Sequence, residues 1–343
     1  MKEILNTLYV QTQGTVLSLE HETIRASQEG KTVLRLPLQQ IEGIVAFGNV
    51  TITPFLIHYC AVNGKRLVWL TRSSKFQGEL HGAIQGNVLL RRAQHAALSD
   101  PHQTTDLARQ FIAGKIGNTR RLILRSARDT AAEQTQTRLR FAAQALGDTL
   151  QNLPSINDLN LLRGEEGKAA RIYFGVLGDM LHHNEDSFSF EQRNRRPPRD
   201  PVNALLSFAY ALLCSECAGA LEACGLDPQI GYLHALRSGR PALALDLMEE
   251  FRAPIADRFV LALVNRQQLK AKDFEELPGG GVYLNDVGRK KVVTAWQKRK
   301  ETIITHPLLN QKMQWGLVPH AQARLLARHL RGDIQHYPPF IYR

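Results

Sequence analysis

The 343-residue chain has few cysteines, fewer acidic than basic residues, and no long apolar run. Four cysteines are too few for the disulfide framework of a small exported domain. Cys214 and Cys217 form a C-x-x-C with Cys224 downstream, yet no second pair or nearby histidine completes a zinc site. These thiols are expected in or beside a helix core. No apolar stretch reaches the roughly 18–20 residues of a membrane span, and the first residues lack a secretory apolar segment. A cytoplasmic protein without a membrane partner is the expectation. Neither a Walker A loop nor a G-x-G-x-x-G follows an expected strand, which argues against a nucleoside-triphosphate engine. An RRM-type aromatic signature is also missing, which disfavours RNA.

The shortage of acid leaves 43 Lys and Arg against 32 Asp and Glu, a formal charge of +11. A field of that sign favours polyanions, nucleic acid first. The length suits two domains. Strand-like runs at Thr7–Gln11, Thr15–Leu19, Thr32–Leu38, Ile41–Phe47, Val50–Thr53 and Arg66–Leu70, with a helix at Pro54–Val62, predict a β-rich domain over residues 1–82. After a linker at 83–88, apolar residues recur at i, i+3, i+4, as in Leu89–Leu98, Asp106–Ala127, Glu133–Leu150, Arg163–Leu181, Val202–Cys224 and Ala242–Phe251. The fold class expected is α+β: a small N-terminal β-rich domain, then a larger all-α catalytic domain over 89–343.

Within the helical part, Glu166 shares a face with Ala169, Ala170, Tyr173, Phe174 and Leu177, so its carboxylate should point inward. Asp246 and Glu249 lie one helical turn apart, with His234 upstream across an Arg-Ser-Gly-Arg-Pro break. Inward carboxylates cost several kcal/mol unless paired or bound to a cation. Two carboxylates and one imidazole from Glu166, His234 and Glu249 suit Mn²⁺ or Mg²⁺ better than zinc. Glu165 and Glu250 read as exposed neighbours of functional acids. Arginines cluster at Lys115–Arg128, where Arg121 and Arg125 share a stripe below Asn118, and in the loop Arg193–Arg199. Arg121, Arg125, Arg195, Arg196 and Arg240 are candidate DNA-backbone contacts.

Several of these stretches together resemble the CRISPR-associated spacer-acquisition integrase family, most closely its subtype C branch among type I systems. They are Lys115-Ile-Gly-Asn-Thr-Arg120, Glu166-Gly167 with Ala170-Arg171 and Tyr173-Phe174, Arg195–Tyr210, Gly231 with Leu233-His234, Arg240-Pro241, Leu245–Pro254 and Tyr337–Arg343. The resemblance implies metal-ligand positions at Glu166, His234 and Glu249, the last often aspartate in the family. Asp246 would support that site or join it, counting among the catalytic residues. It further implies a metal-dependent DNA integrase or endonuclease joining 3′-OH ends of captured double-stranded DNA to the CRISPR repeat by transesterification. The β-domain would form a homodimer, and two such dimers would clamp a dimer of a small ferredoxin-like partner. A DNase acting on branched DNA, or a non-catalytic DNA scaffold, are the alternatives.

Overall fold

The computed structural model describes residues 7–41, 43–72, 76–80, 88–182 and 188–342. Its N-terminal part runs β1 (Thr7–Val10), β2 (Thr15–Glu20), β3 (Thr23–Gln28), β4 (Lys31–Pro37), β5 (Gly43–Phe47), β6 (Val50–Ile52), α1 (Pro54–Val62), β7 (Arg66–Leu70) and β8 (Phe76–Leu80). One sheet has the order β4-β3-β2-β6 and the other β1-β5-β7-β8. Strands β3 and β8 are additions to the sequence reading. In β3 only Ile24 and Ala26 turn inward among polar neighbours, too thin an alternation to stand out.

Side-chain alternation along β5 and β7 joins the two halves of the molecule. Ile44, Ala46 and Leu67 face a sandwich core with Leu17, Ile24 and Leu56. Val45, Phe47, Val68 and Leu70 face the opposite way, into the core of the helical part. A strand buried on both faces is apolar throughout, as Gly43–Phe47 is.

The helical part runs α2 (Val88–Ser99), α3 (Pro101–Asp129), α4 (Glu133–Asn152), α5 (Leu159–Phe174), α6 (Pro201–Ala223), α7 (Ala242–Glu249), a π-helical turn at Arg252–Asp257 and α8 (Arg258–Asn265). Two small hairpins, β9 (Phe274–Leu277) with β10 (Gly281–Leu284) and β11 (Ile303–Thr305) with β12 (Lys312–Gln314), flank α9 (Asp286–Glu301), and α10 (Val318–Leu330) follows. Aspartates start the functional helices: Asp100, Asp158 and Asp200 each accept backbone N–H bonds as N-caps of α3, α5 and α6. Helix α5 stops at Phe174, earlier than the periodicity suggested, because the chain tightens into a 3-10 turn at Gly178–Met180. Linker residues 83–87 lie outside the described residues, and Val88 already belongs to α2.

Helix α6 corrects one expectation: by length and composition it could cross a membrane, although 67% of its apolar window is buried within the protein. It is the central core helix. Phe208 stacks on Phe47 at 6.1 Å, and the Glu216 carboxylate accepts from Trp296 Nε1 at 2.8 Å and Lys300 Nζ at 2.9 Å. Cys214 and Cys217 lie one turn apart on this helix, and burial pushes the Cys214 thiol up to about 11.

The shared core predicts that Phe47→Ala destabilises the protein by about 3–5 kcal/mol. Val62→Lys, at the exposed last residue of α1, should change stability by less than about 0.5 kcal/mol. Urea unfolding of both variants checks the contrast.

Candidate metal centre

Four segments meet around one point: α3 brings Lys115, α5 brings Glu166, α7 brings Glu249, and the loop before α7 brings His234. The loop is held in three ways. Gln94 of α2, fully buried, donates to the carbonyls of Asp227 and Ile230 and accepts from the Asp227 N–H. Arg163 of α5 donates from Nε to the Leu233 carbonyl at 2.8 Å. The third hold is Asp246.

Asp246 is completely buried and faces the loop. Its Oδ2 accepts the N–H groups of Tyr232 at 2.6 Å and Leu233 at 3.0 Å; its Oδ1 accepts the His234 N–H at 2.9 Å. Oδ1 also lies 2.7 Å from His234 Nδ1. Three converging backbone N–H groups form a nest for an anion. Gly231 makes the approach feasible, since a Cβ there would fall 2.6 Å from the Ala242 carbonyl carbon and 2.8 Å from Asp246 Oδ2. With Nδ1 directed at the Asp246 carboxyl, Nε2 lies on the far side of the ring, toward Glu249. Asp246, placed by sequence among the catalytic residues, thus stands behind His234 with both oxygens engaged.

His234 Nε2 lies 3.8 Å from Glu249 Oε1. Glu249 is nearly buried, and Arg252 meets its Oε1 at 3.1 Å while Lys115 meets its Oε2 at 2.9 Å. Burial opposes ionisation, but Arg252, Lys115 and His234 together outweigh it and hold the carboxyl at about 2. Lys115 also pairs with Glu166 Oε1, so one ammonium bridges the two acids. Glu166 is less enclosed than its helical face implied, with its side chain 27% exposed, whereas Ala169 and Tyr173 are buried. Lys115 and Arg252 were absent from the sequence-derived site. Lys115 stood within a basic run, and only contacts across 51 and 134 residues reveal what it faces.

Glu250 overturns its reading as an exposed neighbour. It is fully buried and anchors the C-terminal segment: Tyr337 donates its hydroxyl to Oε1 at 2.6 Å, while the Phe340 N–H and Gln322 Nε2 donate to Oε2. Asn118, one turn above Arg121 in the basic run, is likewise buried. It donates to the carbonyls of Glu250 and Phe340 and accepts the Tyr342 N–H. Gly114 leaves room for this packing, since a Cβ there would meet Glu250 and Pro339 within 3.1 Å.

The candidate DNA contacts are dispersed. Arg195 and Arg196 are exposed in the loop before α6. Arg121 donates to the Tyr342 carbonyl at 2.8 Å, Arg125 lies 3.8 Å from Asp129, and Arg240 is half-buried beside the Ala235 carbonyl. Arg193 of the same loop turns inward to Asn203 and Ser207 and lies over the Tyr210 ring. Below the centre, Asp257 accepts the hydroxyls of Tyr210 at 2.6 Å and Tyr173 at 2.9 Å, and burial raises its carboxyl to about 6.

Two predictions follow from these carboxylates. Asp246→Asn should remove the fixed Nδ1-protonated form of His234, seen as loss of that tautomer in ¹⁵N imidazole spectra, with about 1–3 kcal/mol of stability lost. Asp257 ionises less readily in the folded state than unfolded, so its contribution to stability is lost as pH rises from about 4 to about 6. Asp257→Asn should abolish that slope, on the order of 2–3 kcal/mol, in unfolding titrations across pH 4–7.

A sequence-family model described as CRISPR associated protein Cas1 matches residues 8–298. The CRISPR-associated endonuclease Cas1 1 of Moorella thermoacetica is 51% identical over 343 residues, covering all of both chains. A casposase bound to integration product has a similar structure, with TM-score 0.85 and 21% identity over 99% of this chain and 95% of that one. A Cas6-RT-Cas1–Cas2 complex gives TM-score 0.84 and 20% identity, covering all of this chain and 36% of that one. The match over most of the chain and the full-length relative establish that this protein belongs to the Cas1 family of CRISPR-associated proteins.

Proposed function

We propose that this Cas1-family endonuclease acts in spacer acquisition as an integrase, joining 3′-OH ends of captured duplex DNA to the CRISPR repeat. The observation that carries the reading is the convergence of Glu166, His234 and Glu249, from two helices and a loop, around one charged point. Two carboxylates and an imidazole are the donor types a divalent ion takes, here with the Lys115 ammonium between the carboxylates. Glu249 is held ionised, His234 offers Nε2, and the two carboxylates already share a cation in the Lys115 ammonium. Glu166, His234 and Glu249 would hold Mn²⁺ or Mg²⁺, which supplies Lewis-acid polarisation of a phosphodiester.

The chain's own residues do the remaining work. Asp246 fixes the imidazole so that Nε2 faces the centre, and Arg252 holds Glu249 in place from the protein side. Exposed Arg195 and Arg196 suit backbone phosphates, which fix register without reading sequence. In the reaction the incoming 3′-oxygen forms a bond to a repeat phosphorus as the repeat's own 3′-oxygen leaves. The proton of the attacking hydroxyl ends on that leaving oxygen. One phosphodiester replaces another, so no ATP is consumed. Water in the place of the 3′-hydroxyl turns the same geometry to hydrolysis, the activity named for the Moorella relative.

The partners proposed are double-stranded DNA, a second copy of the chain and a dimer of a small ferredoxin-like protein. The solved casposase is bound to an integration product, and the Cas6-RT-Cas1–Cas2 assembly contains Cas2. Edge strand β4, with Val33 and Leu34 exposed, is a surface suited to pairing with a second copy. A non-catalytic scaffold would not require three ligand-type side chains to converge.

The test is a reaction of the protein and its partner with a 3′-OH duplex, a plasmid-borne array and Mn²⁺. Joined products are expected for the native chain, with a loss of about a hundredfold or more in Glu166→Ala and His234→Ala. Joining that persists undiminished in either variant overturns the reading.

A further inference from the structure

Lys115 occupies an unusual position for a basic residue of a DNA-binding protein. It sits on α3 with its side chain only 11% exposed, and its ammonium lies between Glu166 Oε1 and Glu249 Oε2, 2.9 Å from the latter. Glu249 carries a second cation, Arg252, on its other oxygen, so Glu249 would remain paired without Lys115. Glu166 has only Lys115 among its ion pairs within the described residues. Two carboxylates drawn toward one point repel one another unless a positive charge separates them. Among the described residues, no three acidic, imidazole or thiol side chains stand together at metal-binding spacing. At this centre the space between the carboxylates is filled by an ammonium.

We propose that Lys115 is a resident counter-ion of the metal centre: it holds Glu166 and Glu249 in register in the metal-free protein, and a divalent ion enters by displacing it. The inference rests on the metal reading above and adds a competitor to it. The geometry favours displacement over coexistence, because an ammonium has three donors and no lone pair and cannot share a metal's coordination sphere. The four-carbon stem of lysine lets the head group swing without moving α3. Outside the carboxylates, the displaced charge finds its best partner in a phosphate of bound DNA. Metal and DNA would therefore each ease the binding of the other, the coupling passing through one side chain.

The experiment measures Mn²⁺ binding by calorimetry, and thermal unfolding with and without Mn²⁺, for the native chain, Lys115→Met and Lys115→Arg. Lys115→Met keeps the stem and removes the charge. It should bind Mn²⁺ about tenfold more tightly or better, melt lower than the native chain without metal, and gain more in melting temperature when Mn²⁺ is added. Lys115→Arg keeps the charge and should bind Mn²⁺ no more tightly than the native chain. Native binding with equal or weaker binding by Lys115→Met overturns the displacement while leaving the metal reading intact. Absence of Mn²⁺ binding in all three chains removes the metal reading and the inference with it. Should Lys115→Met fail to fold, the native protein decides: ¹⁵N spectra of the Lys115 ammonium should lose the ion-paired signal as Mg²⁺ saturates. A signal that persists at saturation overturns the proposal.

Discussion

Three carboxyl groups lie within five residues around the end of α7, all of them buried, and the site depends on how the oxygens of each are satisfied. Asp246 is satisfied by backbone N–H groups of the preceding loop, Glu250 by a tyrosine hydroxyl, an amide side chain and a backbone N–H near the C-terminus. Of the three, only Glu249 is satisfied by cationic side chains, Arg252 and Lys115. The first two arrangements use neutral donors, several of them backbone N–H groups. The third is the one in which the proposed metal ion would take the place of Lys115. A carboxylate paired with cationic side chains is thus flanked by two whose partners lie in the surrounding loop and the C-terminal segment.

This division of labour explains why so much of the molecule bears on so small a centre. Asp246 sets the path of residues 232–234 and the direction of the imidazole. Glu250 and Asn118 pin the segment Tyr337–Tyr342 against α3, on the side of that helix next to Lys115. Gly231 and Gly114 allow the two close approaches that these contacts need. The β-domain contributes at a distance, through the face of β5 and β7 that packs on α6.

Much of this was legible in the sequence wherever the signal was local. Helix periodicity located α2, α3, α4 and α6 to within a few residues, and Pro54–Val62 forms the one helix expected within the β-domain. The spacing of Asp246 and Glu249 placed both on one turn. Glu250 was misread because a single helical turn next to a functional acid looks solvent-facing until a distant segment covers it. Its partners lie 72 to 90 residues downstream. The roles of Asn118 and Lys115 were hidden for the same reason: both sit in a basic run, while their actual partners belong to other elements. Lys300 of the basic helix α9 is similarly spent on Glu216. Net charge pointed toward a polyanion without saying which basic residues are available to meet it.

In the proposed reaction Glu166, His234 and Glu249 together hold one divalent ion. The most direct measurement is anomalous diffraction from a crystal soaked in Mn²⁺. A single peak within about 2.0–2.5 Å of Glu166, His234 Nε2 and Glu249 is the predicted result. Full Mn²⁺ exposure with no peak there, or a peak held by other side chains while these three keep their present partners, would contradict it.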